Sequence, residues 1–150
     1  MKFKQEEYPN VANEPYRRVW TKPISTYASN YNLFDVSLAP VIPSEFNSYK
    51  SQLKIIEAGF HKKPIIASET LPYTIDLKNA YKEGKMVDGG NALLVHENKN
   101  HKLWSKYMKL LIENPNMIED LGNKLYETVK DKYSLVTVSK DRTEFFKSII

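Results

Sequence analysis

The chain has 150 residues, no cysteine, 41% hydrophobic and 12% aromatic residues, and a formal net charge of +4. These values exclude structural disulfides, thiolate metal sites and a cysteine nucleophile, and they argue against wholesale disorder. The length suits one ordinary domain with a real core. The basic balance fits a phosphate-bearing ligand, an anionic surface or an uncommitted solvated exterior; no run of like charges marks a nucleic-acid arm.

The opening MKFKQEEYPN has no apolar core of a signal peptide, and no apolar run approaches the ~18 residues of a membrane span. The expectation is a soluble chain in the cytoplasm, with the inner face of a membrane as an alternative. Residues 1–23 are polar and punctuated by Pro9, Pro15 and Pro23. They predict an irregular arm with one short strand at 17–21. Residues 24–33 predict a short helix with Ile24, Tyr27 and Tyr31 on one face.

A regular pattern begins at residue 34. FDVSLAPV (34–41) predicts a strand, stopped by Pro40 and Pro43, and residues 49–61 predict a helix. PIIAS (64–68) predicts a wholly apolar strand, as in a parallel sheet covered on both faces. Residues 69–91 are mixed, with Pro72, Gly84, Gly89 and Gly90; a short helix near 75–83 is expected. NALLV (91–95) predicts a third strand. Three helices follow. The first, 100–113, repeats Leu103, Trp104, Tyr107, Met108 and Leu111 at helical spacing. The second starts at Asn114 and Pro115, with Glu119 and Asp120 early, Lys130 and Lys132 late, and Ile118, Leu121, Leu125 and Val129 as its apolar face. Ser134 caps the third, which is expected to turn Leu135, Val138, Phe145, Phe146 and Ile149 inward.

Strands alternating with helices imply an α/β domain over 24–150, with a parallel sheet of three to four strands flanked by helices and a helical C-terminus. Three strands are fewer than a doubly wound sheet usually has, so the chain reads as part of a Rossmann-like fold.

On a wheel of 100° per residue, Lys50, Lys54, Glu57 and His61 fall within about 60° of one another. Leu53, Ile55, Ile56, Ala58, Gly59 and Phe60 fill much of the remainder. The pattern predicts a helix covered on most sides, with one charged stripe looking along a crevice. One reading is an ordinary solvated stripe with Lys54 and Glu57 paired at i, i+3. The other is a ligand line, because open α/β sheets bind ligands at the carboxyl ends of their strands. The helix N-terminus around Ser48 to Ser51 would then seat a phosphate, with Lys50 as an added cation and Glu57 as acceptor for a ribose hydroxyl pair.

The ordered series FDVSLAP, FNSYKSQLKIIEAGFHKKPIIAS, PY and GGNALLV resembles the donor-binding half of GT-B-type retaining glycosyltransferases of the glycogen-synthase-like class. Asp35, Pro40, Glu57, Ala58, Pro64, Ala67, Ser68, Gly90, Asn91, Leu93, Leu94, Val95 and Trp104 carry the match, which runs from about residue 16 to 150. The resemblance implies a GT-B C-terminal-type domain that binds a nucleoside-diphosphate sugar without a metal or other cofactor. It places Glu57 at the ribose and Lys50, with the backbone of Tyr49, Ser51, Gln52 and Leu53, at the diphosphate, Lys54 lying beside them. The first glutamate of the family's helix, which approaches the donor sugar, would fall on Tyr49, where the match fails. Glu45 is out of register with that position.

The family's acceptor domain, which holds the catalytic residue, and the Arg and Lys of its first donor-domain strands have no counterpart in this sequence. Arg17 and Arg18 match no such motif. The chain is expected to be a piece of a longer enzyme, or a partner of a chain that supplies the rest, and inactive alone; its catalytic residues are unknown. Expected partners are a nucleotide sugar and that acceptor domain. Peripheral membrane association and a homo-oligomer stay open; nucleic acid is not expected. The rival reading is a non-catalytic Rossmann-like assembly module.

Other residues carry blander expectations. His61, His96 and His101 are the only histidines and lack metal-ligand spacing. Trp104 and Tyr107 read as core, Lys62 and Lys63 as solvated. The 88–90 segment reads as a plain turn or a donor contact, and Ser68 stands at a strand end beside the crevice.

Overall fold

The computed structural model describes residues 22–96 and 101–149. The strand expected at 17–21 and most of the arm lie outside them. The chain divides into two units, Met1–Asn30 and Tyr31–Ile150. In the first, α1 (Ile24–Tyr27) is a single turn with Ile24 exposed. The helix expected over 24–33 passes instead into 3-10 geometry at Ala28–Leu33, and only Tyr31 of its expected apolar face is buried.

The second unit is mixed α/β. It orders β1 (Ser37–Ala39), α2 (Glu45–Ser48), α3 (Leu53–Phe60), β2 (Ile65–Ser68), β3 (Tyr81–Lys82), β4 (Lys85–Met86), β5 (Leu93–Val95), α4 (His101–Glu113), α5 (Pro115–Val129) and α6 (Leu135–Ser148). The strands β1, β2 and β5 form a parallel sheet in the order β1-β2-β5. Ser37 is opposite Ile65, Ile66 opposite Leu93, and Ser68 opposite Val95. Every residue of β2 and β5 is buried, as the uninterrupted apolar runs IIAS and LLV require of strands covered on both faces. The strand expected over 34–41 shrinks to three residues, and Leu38 in its middle is half exposed. The three-stranded sheet flanked by helices agrees with the lower end of the expected strand count.

The helix expected near 75–83 is absent. A 3-10 turn, Tyr73–Ile75, leads into an antiparallel hairpin, β3–β4. Glu83 and Gly84 both take left-handed φ, +52° and +84°, the two-residue turn whose twist matches the strands it joins. Lys-Glu-Gly-Lys was the readable signal for it.

The core gathers Ile66, Leu93 and Val95 from the sheet with Tyr107, Leu111 and Leu121 from α4 and α5; Trp104 packs partly buried against it. Pro115 opens α5, where its missing N–H costs nothing, and Leu121, Leu125 and Val129 are buried as the spacing predicts. Glu119 and Asp120 fall in the second turn rather than the first, so they complement the dipole less than the sequence suggests.

α6 overturns its expectation. Ser134 caps it, accepting from Thr137 N at 3.0 Å, yet no residue of α6 is buried. Leu135, Phe145, Phe146 and Ile149 are all more than half exposed. The helical spacing is real, but no described element packs on α6 closely enough to bury any of its residues. Ser134→Ala should therefore cost about 1 kcal/mol of α6 alone. Far-UV ellipticity should fall while the main melting transition moves little; a large shift of that transition would mean α6 is packed into the cooperative unit. Among the described residues no helix is long and apolar enough to cross a membrane.

Candidate functional site

The site expected from the sequence lies at the carboxyl end of β1. There the backbone leaves the sheet through Pro40, and Val41 N donates to Ser68 Oγ at 2.9 Å. That bond ties the loop to the end of β2 and gives the buried Ser68 hydroxyl a structural partner. Asn47 Nδ2 donates to Ile42 O, and Ser44 caps α2 by accepting from Asn47 N.

The helix expected over 49–61 begins four residues late. α2 ends at Ser48, residues 49–52 connect it irregularly to the next helix, and Gln52 is the N-cap of α3. The cause is tertiary. Gln52 Nε2 donates to Asp76 Oδ2 (3.1 Å) and to Tyr133 Oη (2.6 Å), partners far away in sequence, and this anchors the chain where the helix starts. At the other end Lys63 N donates to Ala58 O and Lys62 N to Gly59 O, with Lys62 left-handed at φ +52°. This paired pattern closes a helix and turns it toward β2.

The charged stripe is consequently broken. Lys50 precedes α3, and its Nζ lies 5.0 Å from the Phe46 ring centroid. Tyr49 is 81% exposed and, like Ser51, points away from the protein interior. Nor is α3 covered on most sides: Ile55, Ala58 and Gly59 are buried, but Leu53 and Phe60 are exposed. The buried line packs on α5, where Gly59 meets Val129 and the Leu125 carbonyl.

The part of the stripe that survives is Lys54 and Glu57. Lys54 Nζ stands 3.6 Å from Glu57 Oε2, and the Glu57 side chain is only 21% exposed. Glu57 Oε2 also accepts from Tyr31 Oη at 2.7 Å. The Tyr31 ring stacks on His61 with centroids 4.7 Å apart, and His61 Nδ1 lies 3.1 Å from Glu57 O. Lys54 further acts on buried Tyr73: burial pushes the Tyr73 phenol up, and the lysine charge opposes that rise. A partly desolvated carboxylate with an adjacent cation and an aromatic hydroxyl can hold a polar ligand by hydrogen bonds.

A second polar group escaped the sequence reading. Asp76 is buried and receives Lys132 Nζ at Oδ1 (2.6 Å) and Tyr133 Oη at Oδ2 (2.6 Å), besides Gln52. Burial raises its pKa, but hydrogen bonds from Lys132, Tyr133 and Gln52 outweigh burial and hold the carboxyl below its ordinary value. In turn the hydrogen bond to Asp76 raises Lys132. Asn91, also buried, donates to Asp76 O and Thr128 Oγ1 and accepts from Lys78 N. These bonds join α3, the 76–91 segment and α5. No local motif announces Asp76; only its partners in distant segments do.

The turn at 88–90 lines a cleft of about 420 Å³ against α5, with Lys78, Asp120 and Glu127 among the walls. Glu57 is not among the residues that line this cleft, and Asp88 Oδ1 accepts from Gly89 N as in a plain turn. Lys62 is exposed, as expected, with its Nζ 5.1 Å from the Tyr126 ring centroid. Among the described residues, no group of three or more His, Asp or Glu side chains is placed to hold a metal ion. Comparisons with protein-family models, with curated proteins and with solved structures gave no match to this chain.

Proposed function

We propose that the chain is the donor-binding part of a glycosyltransferase that uses a nucleoside-diphosphate sugar, completed by an acceptor domain in the same or another chain. The observation that carries this reading is Glu57: a partly buried carboxylate, beside Lys54, on the helix that follows the carboxyl end of a parallel strand. That is the position where open α/β sheets take ligands. Glu57 accepts the ribose hydroxyls. Lys54, Lys50 and the amides at the start of α3 face the diphosphate and offset the charge that develops as it leaves. Lys50 must swing from Phe46 to do so. The Gln52 side chain takes no part, because its amide is already committed to Asp76 and Tyr133. A cytoplasmic setting suits a chain without cysteine.

Tyr31 competes with the ligand for Glu57 in this arrangement. The expected result is a rise in melting temperature with millimolar nucleoside diphosphate. Glu57→Ala should abolish that rise. Tyr31→Phe should lower the melting temperature of the free protein by a few degrees, since a hydrogen bond to a charged acceptor contributes about 1.5–3 kcal/mol, yet enlarge the nucleotide-induced shift. No shift of the wild type at millimolar nucleotide would sink the reading. A second reading, a non-catalytic assembly module, is favoured by the uncovered apolar residues of α6.

A further inference from the structure

Resting on the donor site proposed above, we infer that the Tyr73 hydroxyl joins Lys54 in holding the outer phosphate of the nucleotide, so that the site selects nucleoside diphosphates over monophosphates. Tyr73 opens the 3-10 turn that follows β2, at the carboxyl end of the sheet. Its backbone is fixed there: Tyr73 N donates to Thr70 O at 2.8 Å, and Asp76 N donates to Tyr73 O at 3.2 Å. The Asp76 carboxylate in turn holds Gln52, the N-cap of α3, at 3.1 Å. The turn that carries Tyr73 is thereby pinned beside the start of the helix that carries Lys54 and Glu57.

The Tyr73 side chain is buried, with 6% of the residue exposed. A buried tyrosine hydroxyl ordinarily finds a hydrogen-bond partner. Among the described residues none engages this one: burial and the Lys54 charge act on the phenol, and no hydrogen bond does. Nor is the oxygen sealed inside, since the wholly buried side-chain atom left without a partner is Asn30 Oδ1. A buried ring thus presents an uncommitted hydroxyl at the surface. Lys54, and not Glu57, is the charge felt there, which sets the phenol nearer the ammonium than the carboxylate. The Lys54 side chain is 54% exposed, so a ligand reaches it. Burial pushes the phenol up and keeps it protonated at neutral pH, so it donates; an ammonium only donates. Two donors side by side call for an anionic oxygen. With the ribose on Glu57, one turn further along α3, the phosphate on the Tyr73 side of Lys54 is the one farther from the ribose.

Calorimetric titration of the full chain with ADP, GDP and UDP, each against its own monophosphate, tests this. For the base that binds, the wild type should favour the diphosphate. Tyr73→Phe should cut that preference about tenfold or more, the range of a hydrogen bond to a charged group, by weakening the diphosphate and leaving the monophosphate where it was. The melting temperature of the free variant should stay within about 1 °C of the wild type, since the hydroxyl removed has no partner inside the protein. A merely structural role would weaken both nucleotides together and lower the melting temperature. Three outcomes overturn the role of Tyr73: a preference for diphosphate retained in Tyr73→Phe, equal weakening of diphosphate and monophosphate, or a free variant destabilised by several degrees. If Glu57→Ala abolishes binding and Tyr73→Phe leaves it untouched, the donor site stands and Tyr73 has no part in it. If none of the nucleotides binds the wild type, the donor site itself falls, and Tyr73 with it.

Discussion

Gly122→Val should destabilise the domain by about 3 kcal/mol or more and lower its melting temperature by about 10 °C or more. Helix propensity alone says the reverse, since glycine inside a helix costs about 1 kcal/mol relative to alanine. Packing decides. A Cβ on Gly122 would lie 2.1 Å from the Lys62 carbonyl oxygen and 2.9 Å from its carbon. Both are backbone atoms of the left-handed turn that closes α3, so no rotamer change relieves the clash. α5 must back away from the α3–β2 connection, and with it Leu121, Leu125 and Val129 lose their fit. Gly84→Ala is the control. A Cβ there meets nothing within 4 Å, and the positive φ of +84° is the only obstacle, worth roughly 1 kcal/mol. Equal losses at the two positions, read by thermal denaturation, would contradict the steric account.

Asp76→Asn should cost about 2–3 kcal/mol at neutral pH, because Gln52 and Tyr133 lose a charged acceptor inside the protein. Lys132, half exposed, recovers water and adds little. The sign of the pH dependence follows from the lowered Asp76 pKa. The folded state binds this proton less readily than the unfolded state, whose value is near 3.9. The carboxylate's contribution is therefore fully present above about pH 4 and drains away as pH falls through the folded pKa. Melting curves of wild type and variant should differ most at pH 6–7 and converge in acid. A constant difference down to pH 2 would show that the effect comes from packing rather than from charge.

Both residues also bear on the proposed site. Gly122 sets how closely α5 approaches the end of α3, and Asp76 fixes Gln52 at its start. The position of Glu57 depends on helix ends held by these contacts. Under the proposed function, variants at either residue should weaken nucleotide binding without touching the ligand.

Much of the chain was legible locally. IIAS and LLV announce buried parallel strands because every position is apolar, and a strand with two covered faces admits nothing else. Asn114 and Pro115 start α5, and Ser134 starts α6, because an N-terminal proline and a hydroxyl cap act on the backbone next to them. The hairpin at 81–86 is equally local: left-handed Glu83 and Gly84 make its turn where a helix is expected from the sequence. The helix of 49–61 fails differently. Its composition permits a helix from Tyr49, and what stops it there is Gln52 bonding to Asp76 and Tyr133. The same holds for Glu57, whose place on a helix face can be counted from the sequence, while its hydrogen bond to Tyr31 cannot. The sequence by itself thus determined the buried strands β2 and β5, the helices α4 to α6, and where a proline and a hydroxyl cap begin α5 and α6, since those preferences are settled within a few residues. Only the tertiary structure decided where α3 starts, which carboxylate is buried among donors, and that α6 lies uncovered, because each depends on contacts between residues far apart along the chain.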